Sequence, residues 1–255
     1  MTTIFFTNTG PDRPANEDAL LVGDVYSDLS MADPMVALGP ETLVAVADGM
    51  GGGPGGSTAA RVLLEDLNLL PGREIGDPRG HDTLLECLHG TVQRLNRLAA
   101  SDPSLAGMGA TVAGLWRRGP SATVFNCGDC RVYRLREGLL ELLSRDHSTV
   151  FGLYLDGQIT FDGIRSHPKR NLITSAVQES NHNLDLFSRA VRLKNDDLYL
   201  LCSDGVWESL TEAELEECLS LPDLELAALR LSESLLAANC GDNFSFLLQL
   251  VDRDD

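Results

Sequence analysis

The order of apolar segments along the chain is the feature that most limits its fold. Helical periodicity occurs at 57–70, at 81–100, and twice between 211 and 239. Runs typical of strands occur at 3–7, 19–25, 42–47, 109–116, 121–127, 132–136, 139–143, 197–202 and 244–251. Strands therefore cluster and helices come in pairs, without the regular alternation of a parallel sheet. The sequence predicts an α+β fold, antiparallel sheet covered by helices, in a single domain over residues 1–255.

The net charge excludes several classes of function. Asp and Glu number 38 against 20 Lys and Arg, so the formal net charge is −18. Such an excess repels nucleic-acid backbones and anionic membranes but suits a protein that binds cations. Because 43% of the residues are hydrophobic, the charge does not imply disorder. We expect neither a nucleic acid nor a membrane as a partner.

The N-terminal segment and the cysteines indicate the compartment. The first ten residues, MTTIFFTNTG, lack the basic start and the long apolar core of a signal peptide. No apolar run approaches the roughly 20 residues that span a bilayer. A chain of this size does not need its six cysteines as disulfides, so we expect most of them to be reduced and buried. These features predict a cytoplasmic protein.

Aspartates recur at the ends of apolar strands in distant parts of the chain. Asp48 and Asp204 each end a strand and precede a glycine. Asp129 follows another strand, and Asp242 comes just before the last one. Each Asp–Gly pair alone is typical of a turn, but a carboxylate at the tip of a buried strand needs a partner. Together with Glu17, these carboxylates favour a site for a hard cation such as Mg²⁺ or Mn²⁺.

Eight short motifs follow one another in the order found in a known family. They are RPANEDA (13–19), VADGMGG (46–52), GATV (109–112), NCGDCRVYRL (126–135), LSRDHS (143–148), HPKRNLIT (167–174), CSDGVWE (202–208) and GDNFSF (241–246). In this series the chain resembles the metal-dependent protein Ser/Thr phosphatases (PPM, or type 2C), and the bacterial members more than the eukaryotic ones. The resemblance implies a four-layer α-β-β-α sandwich, in which helices flank two central antiparallel β-sheets.

The resemblance also implies two divalent ions, Mn²⁺ or Mg²⁺, with a set of ligands. Asp48 would bridge the two ions, and the carbonyl of Gly49 would bind the second. Asp204 and Asp242 would complete the protein ligands of the first ion. Two such ions lower the pKa of a shared water, and the resulting hydroxide attacks phosphorus in line.

Further residues take roles by the same resemblance. Glu17 would hold the second ion through water, with Asp18 in support. Some relatives bind a third ion, for which Asp129 and Asp204 are the matching ligands. Arg13 matches the family's phosphate-binding arginine, whose planar guanidinium can hold two phosphate oxygens.

The implied activity is metal-dependent hydrolysis of phosphoserine and phosphothreonine in proteins. The implied partners are a phosphorylated protein and an opposing Ser/Thr kinase, and we expect a monomer. In relatives the stretch matching 149–170 forms a flap that faces the substrate. Here that stretch departs from the family around 149–166, so substrate preference stays open.

Four positions differ from the family pattern. Cys130 stands where serine is usual, and Asn8 replaces an aspartate near the N-terminus. Gly53 replaces a histidine of bacterial relatives, and Met50 stands where eukaryotic members have a candidate acid histidine. The general acid is therefore unassigned. Two other functions stay open from the sequence, a non-catalytic phosphatase-like binding protein and a hydrolase of small phosphate esters.

Four local patterns suggest other sites but have simpler interpretations. The glycines at 51, 53 and 56 fit a dinucleotide loop, yet they more simply allow close backbone approach and entry into a helix at Ser57. We expect Cys127 to be packed and Cys130 to be a turn residue rather than half of a zinc site. His147 is expected in a turn where side chains bond to the backbone. The acidic residues between 208 and 236 are expected to form a solvated helical face.

Overall fold

The computed structural model describes residues 1–37, 42–51, 54–70 and 80–252, which form two β-sheets and the helices around them. The strands are β1 (Thr2–Asn8), β2 (Asp18–Val22), β3 (Asp24–Ser27), β4 (Met35–Ala37), β5 (Leu43–Met50), β6 (Gly109–Arg118), β7 (Ser121–Cys127), β8 (Arg131–Arg136), β9 (Leu139–Leu142), β10 (Val177–Gln178), β11 (Phe187–Arg192), β12 (Leu198–Cys202) and β13 (Phe244–Leu250). The α-helices are α1 (Pro54–Asn68), α2 (Gly80–Ser101), α3 (Thr149–Leu155), α4 (Phe161–Ser166), α5 (Asp204–Ser209), α6 (Glu212–Leu219) and α7 (Leu224–Ala237).

Both sheets are antiparallel throughout. The first has the strand order β4-β1-β13-β12-β8-β9. The second has the order β11-β7-β6-β5-β2-β3, with β10 beside β6. The first and last strands of the chain are neighbours, since Thr2 pairs with Leu250 and Asn8 with Phe244. This pairing joins the two ends of the chain in the middle of the first sheet.

Strand β5 shows how the layers are arranged. Its residues Val44 and Val46 belong to the apolar cluster that also contains the first sheet and α5 to α7. The alternate residues Ala45 and Ala47 belong to a second cluster with α1 and α2. Side chains alternate between the two faces of a strand, so β5 is buried on both sides. The molecule is therefore helices, sheet, sheet, helices, and the predicted four-layer sandwich is confirmed.

Several element boundaries differ from the sequence predictions. The single strand expected at 19–25 is a hairpin, because Gly23 has φ +71° and turns β2 into β3. Helix α1 begins at Pro54 rather than at Ser57, and proline suits the first position of a helix. The short elements β4, β10, β11, α3, α4 and α5 were not predicted. The longest of these has only seven residues, too few to establish a period.

Helices α3 and α4 lie within the predicted flap segment 149–170. Contacts between aromatic rings join them: the ring centroid of Tyr154 lies 5.6 Å from that of Phe151 and 5.3 Å from that of Phe161. The segment after α4 returns to the body of the protein, where Ile173 forms a bridge with Ser148.

All six cysteines lie within the described residues and are free thiols. Five are buried and Cys87 is half-buried, as predicted for cysteines that act as small apolar side chains. Among the described helices, none combines the length and the apolar character needed to cross a bilayer.

Candidate active site

A cleft of about 580 Å³ collects residues from seven separate segments of the chain. Its acidic and cationic lining consists of Arg13, Glu17, Asp48, Asp129, Asp204 and Asp242, and Gly49 lines it as well. Asp18 does not line the cleft; it lies behind the surface and is 1% exposed. The structure therefore brings together the residues that the sequence singled out, with Asp18 as a buried neighbour.

Strand pairing explains why two of these aspartates are close. Strand β5 continues to Met50 rather than ending at residue 47, so Asp48 lies within it. Asp48 pairs directly with Asp18 of β2 on one side and with Thr111 of β6 on the other. Directly opposed residues on one face are the closest side-chain neighbours in a sheet. The register of β2 and β5 thus places two carboxylates side by side.

Glycines allow the backbone to approach Glu17. A Cβ on Gly49 would lie 2.3 Å from the carbonyl carbon of Gly56 and 2.7 Å from the carbonyl oxygen of Glu17. A Cβ on Gly56 would lie 2.6 Å from Glu17 Oε1. Gly56 serves close approach, as expected, and Gly49 does the same without having been predicted to. Gly53 lies outside the described residues. The N-terminal end of α1 is thereby packed against the Glu17 carboxylate.

Asn243 holds the segment that carries Arg13 and Glu17. Its Oδ1 accepts a hydrogen bond from the Glu17 N–H at 2.8 Å. Its Nδ2 donates to the carbonyls of Thr9 at 2.7 Å and Ala15 at 3.0 Å. Sequence reasoning assigned no role to Asn243, although the GDNFSF motif contains it. The signal was the amide directly after Asp242.

Asp18 carries a buried carboxylate with one oxygen unpaired. Its Oδ2 accepts a hydrogen bond from Ser203 Oγ at 2.8 Å, whereas its Oδ1 has no hydrogen-bond partner. Burial raises the pKa of Asp18 to about 6. Glu17 Oε1 is also buried without a partner, and burial raises the pKa of Glu17 as well. Unpaired buried carboxylate oxygens need a donor or a cation.

The other cleft carboxylates repel one another. Burial and then the charge of Asp204 raise the pKa of Asp48 well above its usual range. Burial and then the charge of Asp129 do the same for Asp204. Burial raises the pKa of Asp129 to about 7, and the charge of Asp146 adds to the effect. These shifts indicate a concentrated negative charge that a cation would offset.

Arg13 is the one cationic side chain among the residues that line the described cleft. Its Nη2 donates to Asp242 Oδ2 at 2.5 Å, and its side chain is 46% exposed. This hydrogen bond raises the pKa of Arg13, with further contributions from Asp204 and Asp48. Arg13 therefore lies at the mouth of the cleft with its guanidinium directed at the acidic group.

The donor set fits a hard divalent cation by its chemistry. The acidic side chains offer only oxygen atoms, and two of those oxygens are buried without partners. In the present side-chain arrangement, no three Asp, Glu, His or Cys groups of the described residues converge closely enough to hold a metal ion. The residues that would hold one are Asp48, Asp204, Asp242 and Glu17, of which Asp242 is bonded to Arg13.

One wall of the cleft was not predicted. It consists of uncharged residues after α4 and around β10, namely Asn171, Leu172, Ile173, Thr174, Ser175, Ala176, Gln178 and Asn181. The HPKRNLIT motif includes the first four of these residues, but it suggested no role for them. Nothing in the sequence distinguishes Gln178 or Asn181 from ordinary loop residues, since their place depends on the pairing of β10 with β6.

The alternative patterns have structural explanations. His147 is buried in the connection from β9 to α3 rather than in a turn, and its Nδ1 accepts a hydrogen bond from the Gly128 backbone N–H at 3.1 Å, the expected kind of bond to the backbone. Cys127 is packed, and Cys130 lies in the connection from β7 to β8, but there it is fully buried 3.1 Å from Thr111 Oγ1. The acidic helical face is only partly solvated, because Glu208 forms an ion pair with Arg170 at 3.0 Å.

Comparisons with known proteins identify the family of the chain. The family model described as Protein phosphatase 2C matches residues 33–229. The Ser/Thr protein phosphatase PstP of Mycobacterium tuberculosis is 32% identical over 217 residues, which cover 83% of this chain and 41% of PstP. The Ser/Thr phosphatase stp of Listeria innocua is 31% identical over 228 residues, which cover 84% of this chain and 81% of that protein.

Solved structures show the same fold. The crystal structure of M. tuberculosis PstP superposes with a TM-score of 0.83 at 27% identity and covers 99% of this chain and all of that one. The PstP catalytic domain in complex with two manganese ions gives a TM-score of 0.80 at 26% identity, with 99% and 100% of the two chains covered. The chain belongs to the protein phosphatase 2C family. The chain spans about two fifths of the length of PstP, a curated relative that it matches.

Proposed function

We propose that the chain is a Mn²⁺- or Mg²⁺-dependent protein phosphatase that hydrolyses phosphoserine and phosphothreonine. The observation that carries this proposal is the cleft itself, where Arg13 lies against a group of carboxylates delivered by separate strands and turns. A phosphate ester needs a positive group to bind it, and the carboxylates alone would repel it. Membership of the protein phosphatase 2C family supports the same reaction.

The cleft residues divide into two roles. Asp48, Asp204, Asp242 and Glu17 would hold two divalent ions, and Asp129 with Asp204 would hold a third. When bound, such an ion would act as a Lewis acid and would lower the pKa of water to a value near neutral pH. The oxygens of these residues offset its charge and orient it.

Arg13 would bind the phosphoryl group. Its guanidinium presents parallel N–H donors that fit two phosphate oxygens, and its charge offsets theirs. Because the side chain is half-exposed at the mouth of the cleft, an entering phosphorylated side chain can reach it. Such contacts position the phosphorus atom and stabilise charge in the transition state.

The finer features of the proposal concern partners and location. Phosphoproteins are the substrate class of the family, and an opposing Ser/Thr kinase completes the cycle. We further propose a cytoplasmic monomer formed by one domain over residues 1–255, in which 149–170 acts as a flap beside the cleft. The uncharged wall at 171–181 would then contact the peptide around the phosphorylated residue.

The test is hydrolysis of a phosphothreonine peptide with and without Mn²⁺. We expect activity only with the ion, and a loss of more than about 100-fold in kcat/KM for Asp48→Asn and for Asp204→Asn. Asp33→Asn is the matched control, because Asp33 is exposed and outside the cleft. Activity that persists in EDTA, or in both cleft variants, would contradict the proposal.

The same assay separates the other candidate functions. A non-catalytic binding protein would retain phosphopeptide without turnover at any Mn²⁺ concentration. A hydrolase of small esters would act on metabolite phosphates with a far higher kcat/KM than on phosphopeptides. We expect neither result.

A further inference from the structure

A buried tryptophan connects two of the cleft aspartates. Trp207 lies on α5, the helix that begins at Asp204, and it is 3% exposed. Its Nε1–H donates to the backbone carbonyl of Asp129 at 3.0 Å. The carbonyl belongs to the turn between β7 and β8, which is remote from α5 in the sequence. The indole therefore links the backbone of Asp129 to the helix of Asp204.

A fixed cation lies on the face of this indole. The Arg131 guanidinium carbon is 3.8 Å from the centroid of the Trp207 ring, within the range of a cation–π contact. Its Nε and Nη2 donate to Asp146 at 3.1 Å and 2.7 Å, and its Nη1 donates to Tyr133 at 2.8 Å. Arg131 and Asp146 are both almost fully buried. A buried, multiply bonded guanidinium cannot move without breaking these bonds, so it holds the indole in one orientation.

The residue after Asp146 supports the turn between β7 and β8 from its other side. This residue is His147, whose backbone N–H donates to the Gly128 carbonyl at 2.8 Å. Gly128 precedes Asp129 and has φ +110°, a conformation that glycine adopts readily. The turn is thus held by a bond on each side, one from Trp207 and one from His147.

We propose that Trp207, oriented by Arg131, is a positioning residue that fixes Asp129 relative to Asp204. The pair then binds a divalent ion more tightly than two independently moving carboxylates would. This inference rests on the proposed function, because it takes Asp129 and Asp204 as ligands of one ion. Trp207 itself touches neither the ion nor the substrate, since it acts through the Asp129 backbone.

The first test is calorimetric titration with Mn²⁺ alone. Trp207→Phe removes the N–H donor but keeps an aromatic ring for Arg131. We expect the Mn²⁺ site that is lost in Asp129→Asn to bind about fivefold more weakly in Trp207→Phe, as for one hydrogen bond, while the other sites keep their constants. Trp116→Phe is the matched control, because Trp116 is equally buried, lies outside the cleft and should leave every site unchanged. Unchanged affinities in Trp207→Phe, or an equal loss at every site, would overturn the proposal.

A second measurement does not depend on the folding of Trp207→Phe. The chain has two tryptophans, so in Trp116→Phe the emission comes from Trp207 alone. We expect that emission to change as Mn²⁺ binds, and Asp129→Asn to abolish that change. An emission that does not respond to Mn²⁺, or that responds equally in Asp129→Asn, would overturn the proposal. Calorimetry and emission need no substrate, whereas failure of the proposed function would appear as absent Mn²⁺-dependent hydrolysis by the unaltered chain.

Discussion

Arg13 and Asp242 show how single residues set the chemistry of the cleft. Asp242 Oδ1 accepts a hydrogen bond from the Asn243 N–H at 2.8 Å, and its Oδ2 accepts one from Arg13. The carboxylate therefore has fixed donors on both oxygens, one from the backbone and one from a half-exposed cation. A planar guanidinium can hold the carboxylate and approach a second anion with its other N–H groups.

This geometry predicts that replacing Arg13 by lysine lowers activity. Lysine keeps the charge but lacks the planar pair of donors, so Arg13→Lys should lower kcat/KM for a phosphopeptide by about tenfold. Steady-state kinetics at saturating Mn²⁺ measure the change. Arg61→Lys is the control, because Arg61 is similarly exposed but bonds to Glu65 on α1. Equal kinetics for Arg13→Lys and the unaltered chain would argue against phosphate binding by Arg13.

At the scale of elements, the sequence of α1 lowers its helix propensity but allows its first turn to lie close to the cleft. Its first turn contains Gly55 and Gly56, which are unfavourable in a helix relative to alanine. Gly56 nevertheless leaves room for Glu17 Oε1, which a Cβ would approach to 2.6 Å. Glycine thus lowers the helix propensity at the point where the helix meets a functional side chain.

The same substitution should therefore have different effects at two positions. Gly90 is exposed in the middle of α2, and a Cβ there would contact nothing within 4 Å. Gly90→Ala should raise the free energy of unfolding by about 0.5–1 kcal/mol. Gly56→Ala should displace Glu17 and weaken Mn²⁺ binding despite the gain in helix propensity.

Urea unfolding and calorimetry with Mn²⁺ measure both effects. Gly90→Ala should bind Mn²⁺ like the unaltered chain, which makes it the control for the substitution itself. Unchanged Mn²⁺ affinity in Gly56→Ala would show that the Glu17 carboxylate does not depend on this space.

At the scale of the whole molecule, part of the net charge of −18 is concentrated at one place. Strands and turns of both sheets meet there, together with one helix. Carboxylates that are distant in sequence therefore lie in a shared low-dielectric environment. Their pKa values rise for this reason, and folding alone makes the ionised cleft unfavourable. Stability and cation binding are therefore linked in this protein.

The linkage predicts how stability depends on pH. In EDTA, folded Asp18 and Asp129 hold their protons to about pH 6 and 7, whereas unfolded aspartates lose them near pH 4. The folded state thus binds more protons over this window, and the free energy of unfolding should fall as pH rises from about 4 to 7. The expected slope is on the order of 1.4 kcal/mol per pH unit for each group. Mn²⁺ binds the ionised carboxylates, so it should restore stability most strongly near pH 7.

Urea unfolding across this pH window, with EDTA and with Mn²⁺, measures the linkage. Asp18→Asn should flatten the slope in EDTA because it removes one of the buried carboxylates with a raised pKa, whereas the exposed Asp33→Asn should leave the slope unchanged. A stability in EDTA that rises over the same window would contradict the pKa shifts.

Much of the fold was already determined by local sequence. The apolar runs of β1, β5 to β9, β12 and β13 and the periodicity of α1, α2, α6 and α7 predict these elements, because burial of one or both faces imposes a repeat. The aspartates at the strand ends likewise indicated a cation site, since a carboxylate beside a buried strand needs a partner. The order of the motifs then indicated the family.

Tertiary structure alone decided how the site is completed. The pairing of Asp18 with Asp48 depends on the register of β2 and β5, and the Trp207 bond to Asp129 depends on the packing of α5. The uncharged wall at 171–181 reaches the cleft only because β10 pairs with β6. Periodicity within a segment reports which face is buried, but it carries no information on which distant segment lies against that face. Long-range contacts of this kind arise from the packing of the whole chain, so the sequence predicted the acidic residues of the cleft and the structure supplied their neighbours.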